Sequence, residues 1–137
     1  MKLFSNNITI LEKGLDAYSK RANVLANNIA NVNTPNYKRE DIQFESILRE
    51  TLSKDNSEKI KGVTTNSKHF EINSTPSLEN IGAKIIREDN TTMRNDGNSV
   101  DIEKEQGELA KNNIRYQFAA TRLTQNFFIL KSVIKGK

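Results

Sequence analysis

Residues 25–38 read LANNIANVNTPNYK. Leu25, Ile29 and Val32 carry an apolar helical spacing into this stretch, yet five asparagines crowd the same turns and Thr34-Pro35 closes them. Each asparagine inside a helix costs roughly half a kcal/mol relative to alanine. Ala26 and Ala30 are small and let another backbone come close. The amides of Asn27, Asn28 and Asn31 lie off the apolar seam, and each both donates and accepts hydrogen bonds. Two readings fit them: a solvated helix face, or a face that docks on neighbouring chains through directional hydrogen bonds. Asn33 suits the left-handed conformation that ends many helices, and Pro35 disfavours helix at Thr34. Tyr37 is placed to fold back over the joint. The stretch is a helix end with an enforced bend.

Working toward the N-terminus, the seam continues without a break. Phe4, Ile8, Leu11, Leu15, Tyr18, Ala22, Leu25, Ile29 and Val32 alternate spacings of four and three, a heptad pattern sustained over four repeats and suited to packing on another helix. About 30 residues at 1.5 Å rise predict a rod near 45 Å long. The C-terminal end repeats the scheme at Ile102, Gln106, Leu109, Asn113, Tyr116, Ala120, Leu123, Phe127, Leu130 and Ile134. Asn113, polar at a seam position, is expected to set register at some cost in stability. A second stripe, Ile114, Phe118, Ile129 and Val133, makes this helix apolar on two adjoining faces, which suits burial among several neighbours. Asp101, Glu103, Glu105 and Glu108 open the helix and Lys111, Arg115, Arg122, Lys131 and Lys135 follow, the arrangement the helix dipole favours. Asn98 or Ser99 is the expected N-cap.

Between the arms the pattern fades. Residues 41–52, DIQFESILRETL, predict a short helix. Residues 53–98 are rich in Ser, Thr, Asn, Lys and Glu and offer two weak strands, KHFEI at 68–72 and AKIIRE at 83–88, with Pro76 between them. A loop with one small hairpin is expected there. The predicted fold is mainly α: long terminal helices paired as an antiparallel coiled coil, with a short helix and an irregular or small β segment between. The expected division is 1–34, an N-terminal helical arm; 35–98, the bend, short helix and loop region; and 99–137, a C-terminal helical arm.

Composition narrows the function classes. The 137 residues are 35% apolar, with six Phe, three Tyr and no Trp, below the roughly 45–50% of a typical globular chain. Such a chain is poorly placed to bury a deep core alone and is expected to gain stability from partners. The net charge of +4 is spread over the whole sequence. No basic patch of the kind that reads nucleic acid is apparent, and no nucleic-acid partner is expected. The absence of cysteine excludes disulfides and thiolate metal sites. No apolar run reaches the roughly 20 residues of a membrane span. The opening residues, MKLFSNNITILEKG, lack the apolar core of a cleaved secretory signal. His69 is the single histidine, in a polar segment with no second ligand near it. The acids at 101, 105 and 108 share a helix face, and capping with the dipole accounts for them without catalysis. No phosphate loop or nucleophile motif occurs. No enzyme, cofactor or metal site is predicted.

The opening stretch resembles the N-terminal signature of the bacterial flagellar axial proteins, the rod, hook and hook-associated subunits. Ala26, Asn28, Ile29, Ala30, Asn31, Thr34, Pro35 and Tyr37 stand at the signature positions without a gap. The stretch 96–117, DGNSVDIEKEQGELAKNNIRYQ, is similar to the start of the C-terminal helix in the proximal-rod branch, matching at Gly97, Asn98, Val100, Asp101, Asn113, Tyr116 and Gln117. The resemblance covers both arms; the middle matches only in length and around Ser67–His69. It implies a structural rod subunit, exported unfolded by the flagellar type III apparatus and assembled through its terminal helices to transmit torque from the membrane ring to the hook. Its implied partners are further copies of itself, FlgC-like and FlgF-like rod proteins, a FliE-like adaptor and the MS-ring, with no direct membrane insertion. It implies a location in the basal body, in the cell-envelope or periplasmic rod. A FlgC-type subunit, and a helical adaptor or export-linked module that never polymerises, are the alternatives.

Overall fold

The computed structural model describes residues 6–55, 78, 81–87 and 95–136. In chain order the elements are α1 (Asn6–Ala30), β1 (Glu40–Gln43), α2 (Glu45–Asp55), β2 (Lys84–Arg87) and α3 (Ile102–Lys135). The predicted strand at 68–72 and His69 lie outside the described residues.

The two long helices run antiparallel and in close contact. The Asn112 amide of α3 donates to the Tyr18 carbonyl of α1 (2.9 Å), and the Asn28 amide of α1 reaches Glu105 near the start of α3 (2.8 Å). α3 has 34 residues against 25 in α1, so its last turns run on past Asn6. Asp101 caps α3: its carboxylate accepts from the Glu103 and Lys104 N–H groups at 3.0 and 3.3 Å. The cap is therefore three residues later than Asn98 and two later than Ser99, and those two side chains are engaged elsewhere. At the far end Gly136 adopts a left-handed conformation and returns its N–H to Ser132 and Val133.

β1 and β2 form an antiparallel two-stranded sheet in the register Glu40–Arg87, Asp41–Ile86, Ile42–Ile85 and Gln43–Lys84. The strand expected at 83–88 is thus present, but it pairs with residues 40–43. The helix expected over 41–52 begins at Glu45, because Asp41-Ile42-Gln43 is extended for pairing with β2. Ile42, Phe44 and Ile81 pack with Ala17 and Val24 of α1 into the buried core, rimmed by Ile47, Leu48, Leu78 and Ala83. α1 consequently carries two buried sides. Ala17 and Val24 serve the hairpin, whereas Ile8 and Leu25 are buried outside that cluster, on the side that α3 covers.

On α3 the buried residues are Glu105, Asn112 and Ala119, seven apart, with Leu109, Leu123, Asn126 and Leu130 half-buried between and beyond them. Asn113, placed on the seam by the sequence pattern, is exposed, as are Tyr116 at 43% and Phe127 at 46%. The contact face is turned by about one residue's arc from the apolar pattern, so Asn112 and Asn126 take the inward places of Asn113 and Phe127. The apolar count misleads here because the inward face of α3 is partly polar and its outward face is apolar.

Candidate functional site

The bend after α1 is densely bonded. α1 ends at Ala30, and residues 31–34 continue as turns through Asn31 N–H to the Asn27 carbonyl and Thr34 N–H to the Asn31 carbonyl. The last carbonyls of a helix have no partner within it. Past the helix end the turn carbonyls gain a donor from 64 to 67 residues away: the Asn98 amide donates to the Asn31, Val32 and Thr34 carbonyls at 3.0, 3.0 and 2.9 Å. The Asn98 Oδ1 accepts from the Val100 N–H at 2.7 Å, which fixes the amide's orientation. Asn98 is fully buried.

The two connections to the middle of the chain, residues 31–39 and 95–101, lie side by side. Asn36 N–H donates to the Asp96 carbonyl, Ser99 N–H to the Tyr37 carbonyl, and Arg39 N–H to the Ser99 hydroxyl at 2.8 Å. Lys38 Nζ donates to the Gly97 carbonyl at 3.2 Å. The left-handed residue of the turn is Asn36, at φ 59°, and not Asn33. Gly97 opposes it at φ 77°, and a Cβ on Gly97 would sit 2.5 Å from the Asn36 side-chain oxygen. Glycine is required at 97 for both its backbone angle and that close approach.

Beneath the turn is a buried polar cluster. The Asn28 amide nitrogen donates to the Glu40 carbonyl (2.7 Å) and to Glu105 Oε2 (2.8 Å). Its oxygen accepts from the Glu40 N–H (3.1 Å) and the Tyr37 hydroxyl (3.3 Å). The Asn28 side chain thus pairs with Glu40 as a peptide group would, and joins the end of α1 to the start of β1. Glu105 Oε1 accepts from Arg39 Nε at 2.6 Å, and the Arg39 guanidinium also reaches Asp41. Burial pulls the Arg39 pKa down, but the hydrogen bond and charge of Glu105, with Asp41, more than offset this and raise it. Arg39 stays a cation in a buried site. Burial also pushes the Tyr37 phenol up.

The signature residues therefore divide. Asn28 is buried, and Ile29, Asn31 and Tyr37 are half-buried around it. Asn31 bonds back to the Asn27 carbonyl and accepts from Thr34. Ala26, Ala30, Thr34 and Pro35 are exposed, as is Asn27. Asn28 takes neither of the roles the pattern suggested, since its bonds are made within the chain. Sequence reasoning missed Arg39 and Asn112, and gave Asn98, Ser99 and Glu105 other roles, as cap candidates and a dipole acid. The signal for two of them was there: Glu105 and Asn112 are polar residues one heptad apart on a helix whose other side is apolar.

A second ion pair ties the other end of the hairpin. Arg21 of α1 donates to both carboxylate oxygens of Glu45 and to the Ile42 carbonyl. Arg115 of α3 approaches the same carboxylate at 3.5 Å. The Arg21 hydrogen bond holds the Glu45 carboxyl below the usual carboxylate range, against the opposing push of burial. Among the described residues no group of His, Cys, Asp or Glu is arranged to hold a metal ion, and no helix is long and apolar enough to cross a membrane.

Comparison with known proteins bears on this arrangement. A family described as "Flagella basal body rod protein" matches residues 8–38, the stretch containing α1 and the bend. The flagellar basal body rod protein FlgB of Bacillus subtilis is 35% identical, with 99% of this chain and 98% of the relative covered. FlgB of Borrelia hermsii is 31% identical over 98% of the chain and all of the relative. FlgB of Aeromonas hydrophila is 31% identical over 98% and 96%. The likeness spans both arms and the middle, and the chain belongs to the FlgB-type family of flagellar basal-body rod proteins, structural components of the motility apparatus and not enzymes.

Proposed function

We propose that this chain is a proximal-rod subunit that polymerises through its terminal helices and passes torque from the membrane ring toward the hook. The observation that supports this most is the outward side of α3. Ile114, Phe118, Phe128, Ile129 and Val133 are 59–75% exposed, and Ile134, on the seam stripe in the last turns beyond α1, is 85% exposed, all on a helix that already has one partner. Apolar exposure of that extent marks an interaction surface. In this reading residues 1–34 and 99–137 form the rod core, and 35–98 form the bend and outer segment. The seam residues Ile8, Leu11, Leu15, Tyr18, Leu25, Leu109, Leu123 and Leu130 hold the pair together. The exposed signature residues Ala26, Ala30, Thr34 and Pro35 meet neighbouring subunits.

The partners are further copies, FlgC-like and FlgF-like rod proteins, a FliE-like adaptor and the MS-ring. The route is the type III export apparatus, without a cleaved signal, to a rod within the cell envelope. Leu25→Asp or Leu123→Asp, each placing a charge in the helix seam, is expected to block incorporation into basal bodies and abolish swimming. Normal rods and normal swimming with both changes overturn this reading.

A further inference from the structure

We propose that the last turns of α3, residues 127–135, adsorb to an anionic lipid surface, the helix lying in the headgroup layer without crossing the bilayer. The apolar side chains come first. Phe127, Phe128, Ile129, Val133 and Ile134 fall within eight consecutive positions and are 46–85% exposed. Scattered single apolar residues are normal on a surface, whereas a cluster of neighbours marks a contact. Consecutive helical residues are turned by about 100°, so these five cover most of the circumference, and Leu130 among them is half-buried. They sit where α3 has run on past Asn6. Among the described residues no helix is long and apolar enough to cross a membrane, so a lipid contact here is an interfacial one.

The charges come second. Lys131 and Lys135 are exposed and four apart, so they share a face. No acid occurs after Glu108, while Lys111, Arg115, Arg122, Lys131, Lys135 and Lys137 all do. The helix dipole accounts for Lys135 in the last turn, but it does not account for the Phe and Ile side chains beside it. Bases set among apolar side chains suit a negatively charged interface. The alkyl stem of lysine lies along the apolar surface, its ammonium meets lipid phosphate, and Phe and Ile enter the acyl boundary. A second copy offers a poorer match. On the exposed side of α1, Glu12 and Asp16 are offset by Lys13 and Lys20, and Lys20 already pairs with Asp16 at 2.9 Å. Large apolar residues are lacking on that side too, where Ser19, Asn23, Ala26, Asn27 and Ala30 are exposed. The inference goes beyond the rod reading. It concerns a chain whose α3 is not yet covered by other subunits, and the same residues exchange lipid for protein on incorporation.

The test is cosedimentation of the purified full-length chain with large vesicles, which requires no rod and so succeeds or fails independently of assembly. Vesicles of equimolar phosphatidylcholine and phosphatidylglycerol are expected to carry the chain down, and vesicles of phosphatidylcholine alone to leave it in solution. Raising salt from about 0.1 M to about 0.5 M is expected to weaken binding by roughly tenfold, because screening shortens the reach of the lysines. Phe128→Asp combined with Ile134→Asp, and separately Lys131→Glu combined with Lys135→Glu, are each expected to weaken it by at least about tenfold, with the helix content of the parent by circular dichroism. No sedimentation with the anionic vesicles overturns the proposal, as does equal sedimentation with both lipids, or binding that either double variant retains in full. Self-association that the Phe128→Asp and Ile134→Asp pair abolishes, without lipid binding, overturns it in favour of a second copy.

Discussion

Glu105 is a carboxylate with no exposed surface, held between an amide and a guanidinium. Removing one partner of a buried ion pair costs far more than the pair is worth relative to an apolar replacement, because the charge left behind has lost its water and gained nothing. Glu105→Ala removes the carboxylate on Arg39 Nε, leaving Asp41 on the guanidinium, and the acceptor of one Asn28 donor together. It is expected to lower unfolding free energy by about 3–5 kcal/mol, read as a fall in the urea midpoint. Glu105→Gln keeps one acceptor and is expected to fall between the two. If the alanine variant unfolds within about 0.5 kcal/mol of the parent, the value ordinary for an exposed site, the cluster has no role in holding the bend. The sequence hid this residue behind a plausible alternative. An acid in the first turn of a helix is well explained by the dipole, and nothing in the local pattern separates an acid that faces water from one that faces Arg39.

At the scale of the elements, much was legible for a reason that also explains the errors. Two long heptad patterns predict two paired helices, because apolar periodicity reports which residues avoid water. It does not report which partner takes them. α3 has one apolar face and one mixed face, and the mixed face, with Glu105, Asn112 and Ala119, is the one α1 covers. Reading the most apolar line as the seam therefore moved Asn113 and Phe127 inward by one place. The bend was visible because Pro35 and the asparagines act locally. Its bonding was not, since Asn98 and Gly97 act across 64 and 59 residues. Strand β1 was missed for the same reason: Asp41-Ile42-Gln43 becomes extended through its pairing with β2.

Glu45 joins three of these elements, and its effect depends on pH. Its carboxyl is depressed in the folded chain by Arg21. The stabilisation is therefore complete above the ordinary carboxylate pKa of 4.5 and is lost as pH falls below it toward the folded value. The side chain is 43% exposed, so solvent screening holds the contribution to about 1 kcal/mol or less. Glu45→Gln is expected to be less stable than the parent by that amount near neutral pH and to converge with it in acid. Parallel stability curves from about pH 6 to about pH 3 would show that the pair contributes nothing.

For the whole molecule, the distribution of apolar surface separates what folds the chain from what assembles it. Among the described residues the core is small: Ala17, Val24, Ile42, Phe44 and Ile81 form one cluster, and Ile8, Leu25, Val100 and Ala119 are buried outside it. Many of the largest apolar side chains, including Phe118, Phe128, Ile129 and Ile134, lie outside it. Folding a lone chain gains little from them, yet each would gain roughly 1.5–3 kcal/mol on full burial against another surface. Phe128→Asp and Ile134→Asp remove that gain at sites 71% and 85% exposed. Each is expected to leave the melting behaviour of the isolated chain within about 0.5 kcal/mol of the parent, as surface substitutions usually do. Each is also expected to reduce incorporation into basal bodies severely in cells. The contrast with Leu25→Asp is the point of the pair, because Leu25 is 1% exposed and its charge unsettles the monomer itself. Full incorporation of both exposed-site variants, with swimming unimpaired, would leave the exposed apolar surface of α3 without a role in assembly.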